Sequence, residues 1–321
     1  MKGKKVIILI CGSLVGINVQ SNIISENLSK LGYENFIIDF HKIYENNLFL
    51  TESELGLRMC VYGREISPKV IYVVNNIRTD TIINIPNEVI YPNAYRVSLN
   101  QLFLDIRFGF EDSKWFPGNY ERIKSGDSKP FLFSLARKCG LHVPEVTIDS
   151  PFKPNIVGIC KKPLGFPFKL SLSKNSGKEV GITGIVEFDE NKMAYDGYVW
   201  QWQSLVTARS QIRCFFVDGK VWSVVWKREK EEPYDFRYIN QIKNGGVLWE
   251  EYHLPEEIIR KLSILMKKLG LNIAAPEFLT DQSGEHILID LNPCGDWYGF
   301  FPKNINKEII NAITKTLTNA L

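Results

Sequence analysis

Six cysteines stand at positions 11, 60, 139, 160, 214 and 294, with no C-x-x-C pair among them. Most lie beside apolar residues. That argues against a disulfide framework or a cysteine-built metal site, and for reduced, mostly buried thiols in a cytoplasmic protein. Four scattered histidines, without an H-E-x-x-H run, argue against a zinc centre. There is no long Lys/Arg block and the formal charge is only +3, so nothing points to nucleic acid. No apolar stretch reaches the ~18 residues that a membrane-spanning helix needs. Several nucleotide motifs are missing too. The turn Gly12-Ser-Leu-Val-Gly16 lacks the three glycines of a dinucleotide site. Gly177-Lys178 is followed by Glu179 rather than Ser or Thr. Asp235-Phe236 is followed by Arg237, and no H-R-D occurs.

What is present is a globular mixture, 45% hydrophobic and 23% charged over 321 residues, enough for two or three packed subdomains. Two lysines before the apolar run Val6 to Cys11 resemble the start of a secretory signal, but no small-x-small cleavage site follows cleanly. A polar helical stretch (Ser21 to Leu31), Gly32 and the apolar run Phe36 to Ile38 come next, so strand–helix–strand is the better reading. Val6–Ile10, Asn35–Ile38 and Val70–Val74 have the continuous apolar character of strands in a parallel sheet covered on both faces. A second unit begins near Ser113. Asp127 and Ser128 offer an N-cap, Pro130 fits the first turn, Leu132, Leu135 and Ala136 line one face, and Gly140 supplies the stop. Strands dominate from there to about 250. Asp218-Gly219 between apolar runs signals a hairpin. A helix is expected over about 256–269, from Pro255 to Gly270, and another from about 306.

The segment Ala275-Pro-Glu277 to Asp290-Leu-Asn292-Pro-Cys-Gly295 carries the most chemistry. It reads as a hairpin turning at Ser283-Gly284. In its second strand Leu288, Asp290 and Asn292 are expected on one face, and Ile287, Ile289 and Leu291 on the other. A two-residue turn there places Glu277 directly opposite Asp290, with Cβ atoms roughly 5 Å apart. Two carboxylates so placed repel unless neutralised. A divalent cation does this, and an all-oxygen set suits Mg²⁺. The plain alternative is a solvated polar face.

An acidic residue followed, about a dozen positions on, by acidic-x-Asn at a strand end resembles the metal site of the ATP-grasp superfamily. That resemblance implies an α/β (α+β) architecture: an N-terminal pre-domain (1–112), then central (113–200) and C-terminal (201–321) subdomains sandwiching ATP. It implies Glu277, Asp290 and Asn292 as ligands of Mg²⁺, two ions of it, on the nucleotide phosphates. The usual first ligand is Asp, so Glu277 is a departure. Lys129, in Ser128-Lys129, and Lys162, in Lys161-Lys162-Pro163, are similar to the phosphate-contacting lysines. Ser173 to Gly177, with Ser176 and Gly177 nearest its end, resembles the loop that closes over the triphosphate. Gln203-Ser-Leu205-Val206 is similar to the hinge that holds adenine, through the Leu205 backbone. Arg213 matches an arginine near the acyl phosphate, although Gln211 stands where an acidic residue is usual. Read singly, each lysine could be a surface residue and the loop any hairpin.

Asp290-Leu-Asn-Pro-Cys-Gly-Asp-Trp297 and Tyr234-Asp-Phe-Arg237 are most similar to runs in microviridin-type (graspetide) ligases, with ribosomal-protein glutamate ligases next. The resemblance implies an ATP-dependent carboxylate–amine or –hydroxyl ligase working through an acyl phosphate. Its substrate would be a ribosomally made precursor peptide with a leader, and Arg213 and Arg237 would be catalytic. The alternatives are a ligase for free amino acids or small peptides, or a nucleotide-binding protein without turnover. Neither a nucleic-acid nor a membrane partner is expected. Homodimers occur in the superfamily, but the sequence shows no self-complementary patch. The Tyr91–Arg96 and Asp105–Pro117 stretch, rich in aromatics and arginine, is open between a substrate surface and domain packing.

Overall fold

The computed structural model describes residues 6–12, 19–54, 56–74, 89–149, 159–163, 168–171, 179–182, 184–186, 200–229 and 246–321. The first sheet is parallel and ordered β2-β1-β6-β7, from β1 (Val6–Cys11), β2 (Glu34–Asp39), β6 (Pro68–Val73) and β7 (Lys114–Phe116). Every residue of β1 is buried. Its alternate side chains serve two cores, which is why the run is apolar throughout. Ile7 and Leu9 pack with Ile24 and Leu28 of α1 (Val19–Lys30), whereas Ile8 and Ile10 join Leu99, Phe103 and Ile106 of α2 (Pro92–Gly109). The strand–helix–strand reading of this region holds. A small antiparallel sheet of β3 (Phe49–Ser53), β4 (Gly56–Val61) and β5 (Arg64–Ile66) lies between β2 and β6 in the chain. The lone strand β7, past the expected division near 112, completes the first sheet.

Two short helices follow, α3 (Tyr120–Asp127) and α4 (Lys129–Lys138). The α4 helix matches expectation, with Ser128 at its N-cap, Pro130 in its first turn, Leu132, Phe133 and Ala136 buried, and Gly140 at φ 81° after it. Ser128 makes no side-chain capping bond, however. The α3 helix was not anticipated, and Asp127, read as an N-cap, is instead its last residue.

Beyond these, β8 (Val146–Asp149), β9 (Ile159–Pro163), β12 (Gly184–Val186) and β13 (Trp200–Ser204) form an antiparallel sheet ordered β12-β9-β13-β8, with β10 (Phe168–Ser171) and β11 (Glu179–Ile182) paired apart from it. The last sheet is antiparallel, ordered β16-β15-β14-β17-β18, from β14 (Ala208–Val217), β15 (Lys220–Lys227), β16 (Glu250–Tyr252), β17 (Ile273–Asp281) and β18 (His286–Asn292). The β14–β15 hairpin turns at Asp218 (φ 45°) and Gly219 (φ 89°), and two positive φ values in a two-residue loop are the type I′ geometry that Asp-Gly favours. One face of this sheet packs on α5 (Glu256–Leu269), whose Leu262, Leu265, Met266 and Leu269 are buried and whose end at Gly270 is left-handed (φ 67°). The other face packs on α6 (Lys303–Asn319) through Ile305, Ile309, Ile313 and Leu317. Among the described residues, no helix is long and apolar enough to cross a membrane.

Candidate active site

The β17–β18 hairpin pairs Glu277 with Asp290, and Ala275 with Asn292, as the sequence suggested. It arrives there by a different route. The turn holds three residues rather than two. The Asp281 amide donates to the Glu285 carbonyl at 3.0 Å, and the Asp281 carboxylate accepts from Ser283 Oγ and from the Ser283 and Glu285 amides. The outer half of the ladder is therefore one residue out of the expected register: Phe278 pairs with Leu288. A bulge at Ile289 restores the pairing before Asp290. It also reverses the face of Leu288. That side chain is buried in the α5-side core with Phe278 and Leu291, not on the face of Asp290 and Asn292 as the sequence pattern suggested.

Across the neighbouring strand, Arg213 is in register with Glu277, so Arg213, Glu277 and Asp290 form a row over β14, β17 and β18. Arg213 Nη2 lies 3.0 Å from Glu277 Oε1, and Gln211 Nε2 donates to Glu277 Oε2 at 3.0 Å. The face that carries this row is apolar farther along, where Phe215, Val217, Ile273 and Ala275 lie under α6. The polar set begins where that cover ends. Lys129, first residue of α4, is ion-paired with Asp290, and its side chain is 15% exposed. The Arg213 guanidinium also stacks 3.9 Å above the Phe300 ring.

The residues after β18 form a tight lid on this end of the sheet. Asn292 Oδ1 accepts from the Cys294 amide at 3.1 Å, fixing its side chain. A Cβ on Gly295 would lie 2.4 Å from the Ala275 Cβ, so only glycine fits there. Gln20 of α1 reaches across, donating to Asp296 Oδ1 at 2.6 Å and accepting from the Trp297 amide at 3.3 Å. Protein packed around the Asp296 carboxyl raises its pKa, against opposing pulls from Gln20 and Arg213. Gln20, Gln211 and Asp296 were not singled out as site residues. Gln211 was read as a weak point of the match, yet it is the second hydrogen-bond donor to Glu277.

The donor set can be tested against a hard cation by its own chemistry. Two carboxylates in direct register and an amide oxygen already oriented by a turn are oxygen donors of the kind Mg²⁺ takes. Among the described residues, no group of three or more His, Cys, Asp or Glu is placed to hold a metal, so the set here rests on two carboxylates and one amide.

Of the expected nucleotide contacts, Lys162 lies on β9 with its backbone opposite Gln201 of β13, and Gln203 pairs with Cys160 and Val146. Gln203 is buried, and its Oε1 has no hydrogen-bond partner among the described residues. Leu205 follows β13, half-buried, in a segment anchored by bonds between Ser204 and Glu145. Ser176, Gly177 and Arg237 lie outside the described residues. Cys11, Cys60, Cys139, Cys214 and Cys294 are buried and form no disulfide among the described residues, and burial raises the Cys11 thiol to about 12.

No family model and no curated protein matches the sequence. Solved structures do. The macrocyclase MdnC of Microcystis aeruginosa, determined with its precursor peptide MdnA, superposes with a TM-score of 0.75 at 17% identity, covering 98% of this chain and all of that one (100%). A RiPP-associated ATP-grasp ligase of Chryseobacterium gregarium, determined with ADP and a leader and core peptide, gives 0.73 at 15% identity over 99% and 97% of the two chains. The D-Ala:D-Ser ligase VanG of Enterococcus faecalis gives 0.61 at 11% identity, with 99% of each chain covered. From end to end, the chain has the fold of the ATP-grasp ligases.

Proposed function

We propose that the chain is an ADP-forming, ATP-dependent ligase that joins a carboxylate to an amine or hydroxyl of a ribosomally made precursor peptide. The observation that carries this reading is the row Arg213–Glu277–Asp290, with Lys129 closing on its end. A site that sets two carboxylates and two cations side by side is suited to a polyphosphate and its counter-ion. The fold it shares with ligases whose structures hold precursor peptide, ADP and Mg²⁺ supports the same assignment.

When bound, Mg²⁺ on Glu277, Asp290 and Asn292 would neutralise phosphate charge, two ions being the proposed number. The rest falls to the chain's own groups. The reaction brings a carboxylate oxygen to the γ-phosphorus of ATP, and charge repulsion dominates that barrier. ADP leaves, and the acyl phosphate is then attacked by the amine or hydroxyl with loss of phosphate. Arg213, clamped by Glu277 and Phe300, presents a fixed guanidinium to the reacting acyl phosphate. Lys129 turns from Asp290 to a phosphate oxygen, and Lys162 and the 173–177 loop take the remaining phosphate charge. Gln203 Oε1 accepts from the adenine amino group, beside the Leu205 backbone. Arg237 is assigned to an acidic group of the substrate. The three units 1–112, 113–200 and 201–321 are taken as the working domains, and the site as cytoplasmic.

Calorimetric titration of ATP, with and without Mg²⁺, into wild type and Asp290→Asn tests this. Mg²⁺-dependent binding that weakens in the variant is expected. Absence of ATP binding in the wild type would remove the proposal.

A further inference from the structure

At the far end of β17 from the turn lies a second polar cleft, a cavity of about 470 Å³ between the last turn of α2, β7 and the start of α3. Arg107, Glu111, Lys114, Trp115, Asn119 and Arg122 contribute to its wall. Arg107 is only 9% exposed, and its Nη1 is buried without a hydrogen-bond partner among the described residues. The face of its guanidinium is covered by the Trp115 ring at 4.3 Å. Stacking satisfies that face but not the N–H groups, which lie in the guanidinium plane.

The usual local uses of such an arginine are already taken. It stands in the last turn of α2, where a cation can cap free carbonyls. Yet the Ile106 carbonyl accepts from the Phe110 amide, and the Phe110 carbonyl accepts from Trp115 Nε1 and the Ser113 amide. Burial lowers the pKa of Arg107 against the raising charges of Glu121 and Glu111, and neither carboxylate makes a hydrogen bond to it among the described residues. Arg122 and Lys114 are exposed at the rim. The Asn119 cap turns the positive end of α3 toward the same wall. Three cations thus face two exposed carboxylates, and the buried Arg107 Nη1 is the donor left without a partner among the described residues. A guanidinium N–H donating in its plane matches a carboxylate oxygen.

We propose that this cleft binds a carboxylate, and, resting on the reading of the chain as a peptide ligase, that an acidic side chain of the peptide supplies it as an anchor remote from the reaction. Asn272 at the cleft, just before β17, and Glu277 within it are five positions apart, roughly 17 Å in extended chain. An extended peptide gains about 3.3–3.6 Å per residue. The anchoring acid therefore stands at least about five residues from the residue that reacts. The cleft would select peptides by an acidic residue at that spacing.

Calorimetry on the full chain tests this with acetyl-tetraglutamate amide as probe and inorganic phosphate as the second arm. Binding of the peptide is expected in wild type, weakened roughly tenfold or more in Arg107→Gln and severalfold in Arg122→Gln. Arg122 is exposed, so an unchanged melting curve for Arg122→Gln separates its effect from unfolding. No peptide binding in wild type, or wild-type affinity in both cleft variants, overturns the proposal. So does phosphate binding more tightly than the peptide with the same dependence on Arg107. ATP titrated in parallel keeps the two readings apart. Peptide binding without ATP binding removes the ligase and leaves the carboxylate site, and the reverse removes the site alone.

Discussion

Arg213 lies directly opposite Glu277 across β14 and β17, and its Nη2 closes on Oε1 at 3.0 Å. Gln211 holds the second oxygen, so the Glu277 carboxylate plane is set from both sides. In the proposed metal site, that orientation would let a longer Glu stand where an Asp is usual.

Replacing Gln211 by Leu takes one donor from Glu277, whose side chain is 18% exposed. A carboxylate oxygen left partly buried without its donor costs about 1–3 kcal/mol. The urea midpoint is expected to fall accordingly, and Mg²⁺-dependent ATP affinity to fall with it. Unchanged ATP affinity in a folded variant would show that Glu277 needs no such support.

Lys129 is ion-paired with Asp290, so in the proposed metal site it would compete with the cation for that carboxylate. Lys129→Met should therefore tighten Mn²⁺ or Mg²⁺ binding in the absence of nucleotide, while ATP turnover drops by roughly a hundredfold or more. Two effects of opposite sign distinguish this from general damage. A variant in which both quantities fall together would contradict the competition.

Gly295→Ala puts a methyl 2.4 Å from the Ala275 Cβ and 3.2 Å from the Asn292 Cβ. Neither neighbour can rotate away, so β17 or Asn292 must shift. Overpacking of this kind costs about 1–3 kcal/mol. Chemical denaturation should show that loss, with Mg²⁺-dependent ATP binding reduced beyond it. A stable variant with full ATP binding would mean Asn292 is not held by this contact.

His286 bonds to the Tyr252 hydroxyl at 2.8 Å, and burial lowers its pKa against a smaller raising effect of Glu285. Well above the ordinary histidine range, about 6.5, folded and unfolded states are both neutral. Below it the unfolded chain takes up a proton that the folded chain resists, so stability falls as pH falls. His286→Gln should lose that part of the acid dependence when denaturation midpoints are compared between pH 7.5 and 5.5. Parallel profiles for variant and wild type would sink the assignment.

Much of this was legible one residue at a time. Val6–Cys11 could be read as a doubly covered strand because burial on both faces leaves no polar position. Asp218-Gly219 fixed its hairpin because few other pairs tolerate two positive φ values. Gly270 likewise marked the end of α5. The facing of Glu277 and Asp290 was also within reach, yet the turn assumed for it was wrong by one residue and the bulge at Ile289 compensates. A pattern of alternation carries no mark of a bulge when the bulged residue is as apolar as its neighbours.

The sequence by itself determined most of the elements, α3 apart, and the facing of Glu277 and Asp290, since these depend on residue type, spacing and period along one strand or helix. Which donor serves which carboxylate was decided only by the tertiary structure. Lys129 is far from Asp290 in the chain, Gln211 from Glu277, and Gln20 from Asp296. The buried Arg107 facing its cleft arises in the same way, where α2, β7 and α3 meet. Contacts of that kind follow from how sheets and helices stack, and local pattern does not encode them.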